Sequence, residues 1–272
     1  MPPTNPALPQ RANVLGVGIS AINMEEALLR SEQLLYQQRK GYICVTGVHG
    51  IMEARRDPAL RDILNRAYLC TPDGMPTVWV GRLQGHRAMS RVYGPDFMLE
   101  MCRRSVQHSF RHFLYGGGPG VAERLQRGLE RKAPGTRIVG TFTPPFRQLT
   151  ANEEEQLIAA VGEAKADIVW VGLSTPKQEL FMARMIDRLD THLMVGVGAA
   201  FDIHAGLLAD APTWMKVCGL QWLHRLILEP RRLWRRYLTN NPLFLLSIVL
   251  QFLGLKRFAL TACNPGSEVS AG

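Results

Sequence analysis

Short apolar runs alternate along the chain with longer stretches of helical spacing, regularly enough to predict the order of elements. The run from Asn13 to Ser20 reads as a first strand, and Asn23, followed by Glu25 and Glu26, reads as a capped helix start. Tyr42–Thr46 and Tyr68–Thr71 read as short strands. Helical spacing runs between them from Ile51 to Arg66, with Pro58 opening a second helix. In the second half strands are predicted at His112–Tyr115, Thr136–Gly140, Asp167–Gly172 and Leu193–Gly196. Helices are predicted over Val121–Lys132, Ala151–Lys165 and Lys177–Leu189. Strands and helices alternating over short connections predict an α/β fold, a Rossmann-like, mostly parallel sheet with flanking helices.

Beyond Ala211 the pattern changes. Trp214, Trp222, Leu223, Leu226, Trp234 and Tyr237 are interleaved with bases, and between Thr213 and Arg257 eight lysines and arginines face one acid, Glu229. Most of the net charge of +9 therefore sits in this piece. The expected division is a flexible leader over 1–12, an α/β body over 13–211, a basic helical appendage over 212–258 and a flexible tail over 259–272. The apolar run Leu243–Leu255 is 13 residues long, well short of the roughly 20 that a membrane-spanning helix needs. It predicts a segment that fills a core or lies on a membrane.

With 46% hydrophobic and 20% charged residues among 272, the composition is globular and argues against extensive disorder. Five scattered cysteines, with no Cys-x-x-Cys pair, argue against a disulfide framework or a zinc site and fit a reducing compartment. The first residues lack both the charged start and the apolar stretch of a secretory signal, so a cytoplasmic protein is expected.

Candidate chemistry collects in the loops that follow strands. Gly116, Gly117 and Gly118, with Pro119 and Gly120, stand between a strand and a helix, the order that aims backbone N–H groups at a phosphate; a plain tight turn has the same order. Val121 replaces the last glycine of a dinucleotide fingerprint, and no Gly-x-x-x-x-Gly-Lys-Ser/Thr occurs, which argues against nicotinamide dehydrogenases and P-loop hydrolases. Asp73 ends a strand and suits a general base, though Pro-Asp-Gly is also a good turn. Lys177 and Gln178 open a helix after a strand, positioned to meet a sugar or phosphate or simply to cap the helix. Asp202 and His204 are too few for a metal site, and no Asp-x-Asp pair exists to hold a divalent ion, so neither metal nor cofactor is expected. A departing diphosphate would then need arginines or a helix N-terminus. Arg225, Arg232 and Arg235, set among aromatics, suit an anionic membrane surface better than nucleic acid, and no nucleic-acid partner is expected; a solvated basic face is the plainer alternative.

These motifs occur together and in order, and the chain resembles the WecG/TagA/CpsF family of bacterial glycosyltransferases, glycosyltransferase family 26. The residues that carry the resemblance are Val45-Thr46 with His49, Thr71 to Trp79, Arg91 to Asp96, Tyr115 to Gly118, Gly172 to Glu179, Val197 to Asp202 and Gly219 to Leu226, nearly the whole chain. The resemblance implies inverting, metal-independent transfer of an N-acetylmannosamine-type or related hexose from a UDP-sugar to a polyprenyl-diphosphate-linked sugar. The enzyme would lie peripherally on the inner face of the plasma membrane, against anionic lipids, with its oligomeric state open. By residue, it implies Asp73 as base with Thr46 and Gln178 beside it. The asparagine of the family's Thr-x-Asn pair is missing from Gly47-Val48-His49, and His49 is the expected substitute. Arg91, Gly116, Gly117, Gly118, Lys177, Asp202, Arg225, Arg232 and Arg235 are implied on the substrates. Asp210 stands where the family more often has a base, and Gln221 where glutamate is common. The alternatives are a non-catalytic membrane-peripheral protein and a basic nucleic-acid binder.

Overall fold

The computed structural model describes residues 8–260. The run read as one strand is a hairpin of β1 (Arg11–Val14) and β2 (Val17–Ser20), which pair antiparallel. Its two-residue turn sets Leu15 and Gly16 at φ 55° and 89°, the primed geometry that matches strand twist. Periodicity alone reads straight through so short a turn. Strand β1 also begins two residues inside the expected leader; residues 1–7 and most of the expected tail lie outside the described residues.

The main sheet has six strands, β3 (Gly41–Thr46), β4 (Leu69–Pro72), β5 (Arg111–Gly116), β6 (Arg137–Phe142), β7 (Ile168–Gly172) and β8 (Leu193–Gly196), in the order β4-β3-β8-β7-β5-β6. Every neighbouring pair is parallel, so all six C-terminal ends lie along one edge, where ligands approach such sheets. The central strands are buried on both faces, as their continuous Val, Ile, Leu and Met runs require.

The predicted helices are present: α1 (Met24–Tyr36), α2 (Val48–Arg56), α3 (Pro58–Arg66), α6 (Val121–Lys132), α7 (Ala151–Ala164) and α8 (Lys177–Met185). Asn23 caps α1, Asp57 caps α3 ahead of Pro58, and Thr150 with Glu153 forms a capping box on α7. Helices α4 (Met75–Leu83) and α5 (Gly94–His108) lie where the sequence predicts no element. Pro76, Gly81, Gly94 and Pro95 read as breakers in the sequence, but both prolines sit in a first turn, where a missing N–H costs nothing. A short helix, α9 (Ala200–His204), follows β8.

The C-terminal piece is helical, with α10 (Thr213–Val217), α11 (Gln221–Leu228) and α12 (Pro230–Phe252). Helix α12 packs on α2 and buries Leu233, Asn240, Phe244, Ser247 and Ile248, one face at helical spacing. Arg55 reaches across to Ser247 Oγ at 2.6 Å and Arg56 to Asn240 Oδ1 at 2.9 Å. Gln251 bonds the backbone of Leu15 and Asn13 in the hairpin, which ties the C-terminal helix to the start of the fold. The opposite face leaves Trp234, Leu238, Leu245, Val249 and Phe252 exposed. No described helix is long and apolar enough to cross a membrane.

Phe244 joins the core beneath α2 at 2% exposure. Phe244→Ala is therefore expected to cost about 3 kcal/mol, the range for truncating a buried aromatic, and to show it as a lower urea midpoint.

Candidate active site

Asp73 follows β4 at the C-terminal edge. Its N–H donates to the Thr46 carbonyl at 3.1 Å, which ties it to the neighbouring end of β3, and its Oδ1 accepts from the Gly94 N–H at 3.3 Å. The other carboxylate oxygen lies over Gly47, 3.7 Å from where a Cβ there would sit. Burial raises the Asp73 carboxyl above its ordinary value, Arg91 and the Gly94 N–H pull it back, Asp96 raises it, and Arg225 lowers it. A carboxylate made more basic by its surroundings suits proton abstraction.

Arg91 serves as scaffold. It donates to the Asp73 carbonyl and to Gln221 Oε1 on α11, with its guanidinium 4.1 Å from the Tyr93 ring centroid. Tyr93 donates to Asp210 Oδ1 at 2.8 Å, and Lys216 reaches the other oxygen of Asp210. Asp210 and Gln221 thus join the C-terminal helices to the Asp73 loop. Thr46 is buried, its hydroxyl 3.3 Å from the Cys44 carbonyl and 3.4 Å from Cys70 Sγ, so it turns into the sheet. Cys44 and Cys70 pair in register across β3 and β4 as free, buried thiols, and burial pushes Cys70 up to about 11.

Gln178 and Glu179 are buried in the first turn of α8, which starts at Lys177 with Pro176 as its cap residue. Gln178 Nε2 donates to Glu179 Oε1 at 3.0 Å, and the side chain lies over Gly196 at the end of β8. Lys177 is exposed. The glycine run is partly taken up by packing: a Cβ on Gly116 would come 2.6 Å from the Gly172 carbonyl, and the Gly117 N–H donates to that same oxygen at 3.2 Å. His204 is buried with its ring between the Pro95 carbonyl and Lys132, whereas Asp202 lines a cavity of about 320 Å³ with Leu207, Leu208, Leu228 and Glu229. Among the described residues no three His, Cys, Asp or Glu side chains converge as a metal-holding group. A second cavity, about 420 Å³, lies at the opposite edge near Tyr36, His108 and the strand start at Arg111, and contains none of the residues singled out above.

The arginines divide. Arg225 and Arg232 both donate to Glu229 Oε2, at 2.6 and 2.8 Å. Both also lower the Asp202 carboxyl, which burial raises. Arg235 points outward and stacks on Trp234. Its neighbour Arg236 is half-buried instead; burial lowers its guanidinium, Tyr237 and Glu53 raise it, and Arg232 and Arg225 lower it. The sequence spacing favoured Arg235, whereas Arg236 is the one of the two that lies close enough to Arg225 and Arg232 to feel them. Tyr237, its ring centroid 5.8 Å from that of Trp222 in a tilted pair, also faces this cluster and feels Asp73. Sequence reasoning did not single out Tyr93, Glu229, Arg236 or Asn240; the visible signals were the place of Tyr93 inside the Arg91–Asp96 motif and that of Glu229 as the only acid among eight bases.

His49 sits on α2 with Nδ1 3.3 Å from Asn240 Nδ2 and 3.7 Å from Glu53. Burial and Arg236 lower it to about 4, with Glu53 and a hydrogen bond to the Thr175 carbonyl opposing and Arg56 assisting. It is neutral in the folded protein at neutral pH.

A model of the WecG/TagA/CpsF glycosyl transferase family matches residues 12–258. An N-acetylglucosaminyldiphosphoundecaprenol N-acetyl-beta-D-mannosaminyltransferase of Bacillus spizizenii is 30% identical over 210 residues, 76% of this chain and 79% of that protein. The protein of the same name from Bacillus subtilis is 30% identical over 206 residues, 75% and 77% of the two chains.

A carboxyl raised in the folded state makes folding less favourable once it must ionise. Asp73→Asn is therefore expected to be at least as stable as the parent at neutral pH in urea unfolding, with any gain vanishing as the pH falls through the raised Asp73 value.

Proposed function

We propose, on the premise that the chain belongs to the WecG/TagA/CpsF glycosyltransferase family, that it moves an N-acetylmannosamine-type hexose from a UDP-sugar to a sugar carried on a polyprenyl diphosphate. Transfer inverts the anomeric centre and needs no metal ion. The observation that carries the reading is Asp73, basic and partly buried at the C-terminal edge, with the arginine cluster of α11 and α12 brought to the same edge.

The acceptor hydroxyl gives its proton to Asp73 as its oxygen attacks the anomeric carbon on the face opposite UDP. The bond from that carbon to the diphosphate breaks, and the electron pair leaves with UDP. Negative charge builds on the diphosphate, where Arg225 and Arg232, once Glu229 gives them up, and the neighbouring Arg236 can meet it. The outward row Trp234, Leu238, Leu245, Val249 and Phe252, with Arg231 and Arg235 beside it, supports a seat on the anionic inner face of the plasma membrane, where each base near the surface gains about 1 kcal/mol.

With a lipid-linked acceptor and UDP-N-acetylmannosamine, Asp73→Asn is expected to lower kcat by a factor on the order of 10² to 10⁴ with UDP affinity unchanged, and chelator is expected to leave the parent's rate alone. In the parent, the rate should decline as the pH falls through the raised Asp73 value. Activity of Asp73→Asn within a few-fold of the parent would remove Asp73 as base. Neutral replacement of Arg225, Arg232 and Arg236 should cost rate with vesicle binding retained, and Arg235→Gln should cost vesicle binding with turnover of a detergent-dispersed acceptor retained.

A further inference from the structure

His49 is buried enough to stay neutral, and the direction of every hydrogen bond around it is fixed by chemistry. The Arg56 guanidinium has only donors, so the oxygen 2.9 Å from it is Asn240 Oδ1. Asn240 must then present its Nδ2 to His49 Nδ1, 3.3 Å away, which makes Nδ1 the acceptor and places the ring proton on Nε2. On its other side the ring faces the Thr175 carbonyl, and Thr175 packs on the start of α2, its Cγ2 3.8 Å from where a Cβ on Gly50 would lie. The Thr175 hydroxyl in turn donates to Glu179 Oε1 at 2.8 Å, the same oxygen that receives Gln178 Nε2. Contacts thus run from α12, through α2, to the first turn of α8.

We infer that His49 is a positioning residue: held as the Nε2-protonated tautomer by Asn240, it ties the seated helix α12 to the Thr175 turn and so sets the Gln178 side chain at the strand ends. One seating event then assembles both halves of the site, the arginines on α11 and α12 and the amide on α8. The groups facing the ring are Glu53, Arg56 and Arg236, beside Asn240 and the Thr175 carbonyl. A proton added at Nδ1 would set two donors against each other and break the chain at Asn240. The kinetic consequence rests on the glycosyl-transfer reading, whereas the tautomer does not.

The test combines variants with a spectroscopic signature. A glutamine at position 49 can accept from Asn240 and donate to Thr175, and an alanine can do neither. His49→Ala and Asn240→Ala are expected to lower kcat tenfold to a hundredfold, on the order of what a misplaced substrate-positioning group costs. The double variant should be no worse than either single one. His49→Gln should restore most of the rate and keep the acid limb of the kcat/KM profile. In the parent, ¹⁵N NMR of the His49 ring should show the Nε2-protonated tautomer at neutral pH, and Asn240→Ala should abolish that preference. An Nδ1-protonated ring, an unaffected rate in Asn240→Ala, or a His49→Gln variant as inactive as the alanine would each overturn the inference. If the parent transfers no sugar from any UDP-sugar, the functional reading fails, and the tautomer with its response to Asn240→Ala still decides the relay.

Discussion

Between α2 and α12 an apolar seam, with Phe244 and Ile248 set against the core around Ile51 and Met52, is flanked by two arginines of α2 that reach across to Ser247 and Asn240. The rest of the site depends on this seam. It fixes the rotation of a 23-residue helix, and that rotation selects which of two adjacent arginines faces the body and which faces outward. It also leaves the apolar strip of α12 on the outside, so a single helix carries a core face and a surface face. At its far end Gln251 bonds the N-terminal hairpin, which makes the hairpin part of the same support.

The electrostatics follow from that placement. Two of the arginines rest on Glu229, which keeps a concentrated positive charge from repelling itself and leaves it available to a stronger anion. A diphosphate offers several oxygens to guanidinium forks that one carboxylate satisfies only in part. Asp73 sits close enough to feel Arg225, yet burial dominates and keeps the carboxyl basic. On the proposed reading, acid–base work and charge stabilisation fall to different parts of the chain, the body and the C-terminal helices, and the bonds from Arg91 to Gln221 and from Tyr93 to Asp210 join them.

Much of this was legible in the sequence because parallel strands, buried on both faces, leave unbroken apolar runs, and because caps such as Asn23, Asp57 and Thr150 mark helix starts locally. What escaped depends on contacts distant in sequence. The Leu15-Gly16 turn is only two residues long, and α4 and α5 contain residues that usually break helices. Arg235 and Arg236 differ by one position, about 100° of helix, and only docking against α2 tells them apart. Asp73, Gln178 and Asp202 stand at strand ends or helix starts, where the motif alone locates them. His49 had a motif position but no readable role, because its partners Asn240 and Thr175 lie 191 and 126 residues away.

The seat of α12 is directly measurable by native-state hydrogen exchange of the full chain, with and without anionic vesicles. Amides from Leu233 to Gln251 are expected to exchange in both conditions only through the global unfolding that opens the central strands β7 and β8. If these amides exchange freely without vesicles, and are protected only when vesicles are added, then α12 is not seated on the body in the free protein and the arginine cluster is not preassembled beside Asp73.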